Sequence, residues 1–123
     1  MNRTEEIELL EQLEQWNSKD EYSQCIQAIE AIPEQERGYL LTVKLSRAYS
    51  NLAVLGDHGV HGTDGEVDGD LIRHAIDLLE SVRTQGENDP YWNSRIGYSC
   101  LMAYRSAATA YEYAKCWLAL APD

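Results

Sequence analysis

The run Asp89-Pro90-Tyr91-Trp92, followed by Ile96-Gly97, then Ala110-Tyr111-x-x-Ala114-x-x-Trp117 and closing on Ala121-Pro122-Asp123, decides the fold. It reads as two helices packed back to back. Asp89 can accept the first free N–H groups of a helix, and Pro90 suits the first turn, where a missing N–H is not needed. Gly97 has no β-carbon and is expected to let a neighbouring helix come close. Pro122 cannot continue the second helix.

Working back from this unit, the chain offers more helices of the same kind. Thr4 can cap a first helix, with Glu5 and Glu6 in the turn that favours carboxylates. Ile7, Leu9, Leu10, Leu13 and Trp16 follow at helical spacing. Asn17–Asp20 reads as a turn, and a second helix carries Tyr22, Cys25, Ile26, Ile29 and Ile32 up to Pro33. After a connection at Glu34–Gly38, a third helix spans Tyr39 to Leu55. Gly56–Gly69 then changes character, with five glycines, the carboxylates of Asp57, Asp64, Glu66 and Asp68, and two histidines. So little apolar surface cannot offset the ordering entropy, so a mobile loop is expected there. A fourth helix starts near Asp70 and carries Leu71, Ile72, Ala75, Ile76, Leu79 and Val82, with Gly86 as its stop. No alternating strand pattern competes. The expected fold is all-α, with helix pairs at about 4–32, 39–85 and 90–121, in one domain covering residues 1–123.

The second helices of these pairs can be laid over one another. Cys25-Ile26-x-x-Ile29-x-x-Ile32, Ala75-Ile76-x-x-Leu79-x-x-Val82 and Ala110-Tyr111-x-x-Ala114-x-x-Trp117 each start on a small residue and continue as an apolar stripe. That pattern puts a small side chain at the closest helix contact and the larger ones towards the core. Among the first helices, Leu45-Ser46-x-x-Tyr49 parallels Ile96-Gly97-x-x-Cys100. Here the chain resembles the tetratricopeptide repeat family, whose unit is a helix–turn–helix of 34 residues with aromatic, small and Pro positions at set places. Trp92, Ile96, Gly97, Ala110 and Pro122 carry the likeness. The chain departs from the pattern in its Trp92–Gly97 spacing, in Trp117 at a small-residue position and in the long insertion of the second pair. The resemblance implies a short right-handed solenoid of three stacked pairs. It also implies that the first helices line a groove for a peptide or partner helix, with Lys44, Arg47, Asn51, Tyr91, Asn93, Arg95 and Tyr98 as the candidate contacts.

Composition narrows the partners. The 123 residues carry a formal charge of −11, from 21 acidic and 10 basic side chains. Nucleic acid and anionic membrane surfaces would be repelled, while a basic or neutral protein partner would not. The charge is uneven, with ten acidic side chains against Arg3 and Lys19 in residues 1–36. Three cysteines without a CxxC pair suit small apolar packing and a reducing cytoplasm rather than a disulfide framework. No apolar run approaches a membrane span.

Chemistry is sparse. No GxSxG elbow, phosphate-cradling glycine loop or local nucleophile–base pair is present, so an enzyme is not expected, nor a cofactor. His58 and His61 could ligate a metal, and Asp64-Gly-Glu66-Val-Asp68-Gly69 has the oxygen spacing of half a calcium loop. Ala75 stands where the bidentate glutamate belongs, and an acidic linker is the simpler account. The function expected from these residues is that of an adaptor or scaffold. Two alternatives are an interaction arm of a longer polypeptide, or self-association through the last helix. A metal-binding protein using the 56–69 loop is a further one.

Overall fold

A computed structural model describes residues 1–59 and 67–104 of the chain. Every regular element among the described residues is helical: α1 (Arg3–Ser18), α2 (Tyr22–Glu30), α3 (Tyr39–Leu55), α4 (Gly69–Ser81), the short α5 (Arg83–Gly86) and α6 (Pro90–Tyr104), with 3-10 turns at Glu34–Glu36 and Asp57–Gly59. The all-α expectation is met. The last helix read from the sequence, with Ala110, Tyr111, Ala114, Trp117 and the self-association surface placed on it, falls at residues 105–121, outside the described residues.

Hydrogen bonds between elements give the helix directions. Ser46 Oγ donates to the Ala75 carbonyl at 2.7 Å, and the Asp68 N–H donates to the Ala53 carbonyl at 3.0 Å, so α3 and α4 run antiparallel. Glu14 meets Lys44 and Arg47 while Asn17 meets Asn51, so α1 and α3 run in the same direction. Tyr91 lies under Lys44 and Arg95 meets Ser50, which sets α6 along that direction too. α1 packs chiefly on α2, α2 and α4 on α3, and α6 on α4, while α3 also touches α1 and α6. This order is compatible with a helical-repeat arrangement.

Two apolar clusters share α3 as their common wall. On one side Leu13, Cys25, Ile26 and Ile29 pack on Leu41, Leu45 and Ala48. On the other Val43 and Ala53 pack with Ile72, Ile76, Leu79, Trp92 and Ile96. The stripes read from the sequence in α2 and α4 are thus the buried faces. Ala75, with no exposed surface, sits where α3 crosses closely enough for Ser46 to reach its carbonyl. No described atom comes within 4 Å of a β-carbon built at Gly97, and the second helix of that pair lies outside the described residues. A close approach among the described residues is at Gly86, where a β-carbon would collide with the Trp92 ring. Cys25 is a buried free thiol, as expected of a small packing residue, and Cys116 lies outside the described residues; Cys100 is buried and disulfide-bonded, a correction to its reading as a simple packing residue.

The caps differ in detail from the sequence reading. Asn2, not Thr4, caps α1, its Oδ1 accepting from the Glu5 N–H at 2.8 Å. Asp89 caps α6 as expected, accepting from the Tyr91 N–H at 3.0 Å, and also accepts from the Tyr39 hydroxyl. Burial and that bond push the Tyr39 phenol up to about 12. Gly56 ends α3 at φ 72°, a conformation that suits glycine.

The N-terminus of α2 is capped from a distance. Glu21 offers no side-chain cap. The carboxylate of Asp57, in the turn after α3, accepts from the Ser23 N–H at 2.9 Å, and the His58 N–H donates to the Asp20 carbonyl at 2.7 Å. Asp20 and His58 both adopt positive φ, at 58° and 55°. The α1–α2 turn and the turn after α3 are therefore held together. Asp57→Ala should lower stability by about 0.5–2 kcal/mol, the range for losing a side-chain cap. Urea unfolding measures this. An Asp57→Asn variant, which keeps an acceptor oxygen, should recover most of it.

Candidate functional site

Six of the seven candidate residues meet on the face shared by α1, α3 and α6. Lys44, Arg47 and Asn51 recur on α3 at intervals of three and four, so they form one stripe. Tyr91, Arg95 and Tyr98 form the matching stripe on α6. The carboxylate of Glu14 on α1 takes both neighbouring cations, with Lys44 Nζ and Arg47 Nη1 each 2.9 Å from its Oε1. Asn51 Nδ2 donates to Asn17 Oδ1 at 3.1 Å. Arg95 Nη2 donates to Ser50 Oγ at 2.5 Å and, more weakly, to Asn51 Oδ1 at 3.4 Å. Lys44 Nζ lies 4.8 Å from the Tyr91 ring centre, and the Arg95 guanidinium 4.7 Å from that of Tyr98, both within cation–π range.

Asn93 does not join them. Its Nδ2 donates to the carbonyls of Glu87 and Asp89, both at 3.0 Å, and so braces the entry into α6. Arg47 is also less open than a groove contact was expected to be. It is 8% exposed, because its alkyl stem packs under the face while its head reaches Glu14.

Electrostatically the face is unlike the rest of the chain. Burial alone would raise the Glu14 carboxyl, but the hydrogen bond from Lys44 and the charge and hydrogen bond of Arg47 outweigh it and hold the group below its ordinary 4.5. A carboxyl lowered on folding contributes stability above its unfolded value, and that contribution is lost as pH falls through the lower folded value. Burial pushes the Arg95 guanidinium down, and the like charge of Arg47 adds to this. No carboxylate among the described residues forms an ion pair with Arg95. Arg47 Nε, Arg95 Nε and the Tyr91 hydroxyl are buried and make no hydrogen bond among the described residues. Removing Glu14 should leave Arg47 as a desolvated cation, so Glu14→Ala should destabilise by about 1–3 kcal/mol near neutral pH. The difference from wild type should shrink as pH falls through the folded Glu14 titration, which denaturation at several pH values follows.

The loop after α3 gives less. Asp68, read as one calcium oxygen, is the N-cap of α4, accepting from the N–H groups of Asp70 and Leu71 at 3.1 and 3.2 Å. His61, Asp64 and Glu66 lie outside the described residues. Among the described residues no group of three or more metal-ligating side chains gathers. None of the described helices is long and apolar enough to cross a membrane.

No protein-family model, curated protein or solved structure matches the chain. Glu14, Asn17 and Ser50 belong to the network and were not among the candidates read from the sequence. One signal could have found Asn17: it stands 34 residues before Asn51, the same separation as Ser23 and Asp57, which also meet. Glu14 has no such signal, because an acidic residue on an acidic helix looks like solvated surface.

Proposed function

We propose that this chain is a protein-interaction module that docks a segment of a partner protein across the first-helix face of α1, α3 and α6. The observation that carries the reading is the joining of six candidate residues from two helices into one polar and aromatic network. Some of its buried donors have no acceptor among the described residues. Aromatic rings and arginines are the residue types that anchor protein interfaces. Two side-chain contacts spaced by 34 residues support the tetratricopeptide-like reading. The strongly negative chain suits a partner whose overall surface is neutral or basic, while the face itself offers cations to local acceptors. The protein acts in this reading as an adaptor or scaffold, and the chemistry at the face is recognition alone.

The test is a comparison of tagged variants. Asn51→Arg with Tyr98→Ala alters the face, and Asp77→Lys alters an exposed position on α4. Specific partners should be lost with the first variant and kept with the second. Partners kept with both, or lost equally with both while each variant stays folded, would sink the proposal.

A further inference from the structure

We propose that the Arg47–Arg95 junction on this face binds a phosphomonoester dianion; this rests on the docking reading above and names the group that reading leaves open. Three cations, Lys44, Arg47 and Arg95, stand against one carboxylate, Glu14, which leaves a local excess of two positive charges. Charges removed from water are ordinarily paired, because desolvation outweighs the attraction of neutral partners. Among the described residues Arg95 has only neutral partners: the hydroxyl of Ser50, the amide oxygen of Asn51 and the ring face of Tyr98. A phosphomonoester carries about 1.5–2 negative charges near neutral pH and three acceptor oxygens. A single carboxylate would leave half of the excess in place. Unused donor capacity matches as well: Arg47 Nε, Arg95 Nε and the Tyr91 hydroxyl are three buried donors without an acceptor among the described residues, on facing stripes of α3 and α6. Planar guanidinium forks are the side chains best shaped to hold phosphate oxygens. The same site would serve a phosphorylated side chain of a partner or a free phosphate compound.

Calorimetric titration of the full chain with inorganic phosphate, and with acetate at matched ionic strength, tests the site directly. Phosphate should bind and shift the amide resonances around Ser50 and Arg95, with acetate far weaker. Arg95→Gln should weaken phosphate binding by about tenfold or more, and Lys19→Gln should not. Arg95→Lys, which keeps the charge but loses the fork, provides a second variant if Arg95→Gln does not fold, and should weaken binding too. Absence of binding at millimolar phosphate, equal binding of acetate, or indifference to both Arg95 variants overturns the proposal. A short Gly/Ser peptide carrying one phosphoserine separates the sources. Tighter binding than free phosphate supports a modified protein partner, and equal binding supports a free phosphate compound at the same site. If phosphate fails to bind while partner capture still depends on Asn51 and Tyr98, the oxyanion site falls and the docking face stands. If phosphate binds and capture ignores the face, the docking reading falls alone.

Discussion

Trp92→Ala should lower the unfolding free energy by about 3–5 kcal/mol, the range for removing a buried large aromatic side chain. The residue is 1% exposed and joins α6 to α4. Its ring lies against Gly86 and its Nε1 donates to the Leu79 carbonyl at 2.9 Å, so truncation leaves a cavity and removes one of that carbonyl's two donors, the Val82 N–H at 3.1 Å remaining. The Arg83 guanidinium, 5.1 Å from the ring centre, loses a stacking partner as well. A second variant makes the test sharper. Gly86→Ala places a methyl where the indole stands, and overpacking of this kind costs about 1–3 kcal/mol. In the Trp92→Ala background that methyl enters vacated space, so the double variant should be more stable than the sum of the two single losses. Urea unfolding of the four proteins in the cycle measures the coupling. Additive losses would mean that the ring does not rest on Gly86.

The same pair marks how far the sequence could be read. Apolar spacing was enough to place α3 at Tyr39–Leu55 and to pick the buried faces of α2 and α4, because periodicity records directly which side of a helix meets the core. Asp89-Pro90 was legible as a helix start for a similar reason, since capping depends on residues a few places apart. Sequence reading assigns Gly97 a close helix contact and Gly86 a helix stop, and does not show that Gly86 receives the Trp92 ring. Which glycine receives a ring depends on where another helix places Trp92, and no local pattern carries that. Asp57 illustrates the same limit: a carboxylate in a loop looks like loop composition until its turn is laid beside Ser23. In the candidate site, the cations were visible as exceptions in an acidic chain. Their neutral and acidic partners were not, because Glu14, Asn17 and Ser50 acquire meaning only across helices.

The two apolar clusters on either side of α3 should open separately. Ile29 has no exposed surface and lies in the cluster formed by α1, α2 and one side of α3. Ile29→Ala should cost about 2–5 kcal/mol by the usual loss of transfer energy plus cavity. The distribution of that loss is the more telling quantity. In a repeat array each unit leans mainly on its neighbours, so weakening an end unit opens that end first. Amide exchange in α1 and α2 should therefore quicken well before exchange in α4 and α6, whose side chains pack with Val43 and Ala53 on the opposite wall of α3. A helical bundle around a single centre would respond differently, losing protection in all helices together. Exchange followed residue by residue in wild type and Ile29→Ala separates the two. Uniform acceleration would rule against serial stacking, and acceleration confined to α1 and α2 would make α3 the boundary at which an opening from the N-terminal end stops. Such a boundary would also bear on the first-helix face. Asn17 and Glu14 belong to the unit that opens, while Arg95 and Tyr98 belong to the one that stays closed, with Asn51 between them on α3. A ligand bridging these residues would have to hold α1 in place, and should slow exchange in α1 more than in α4.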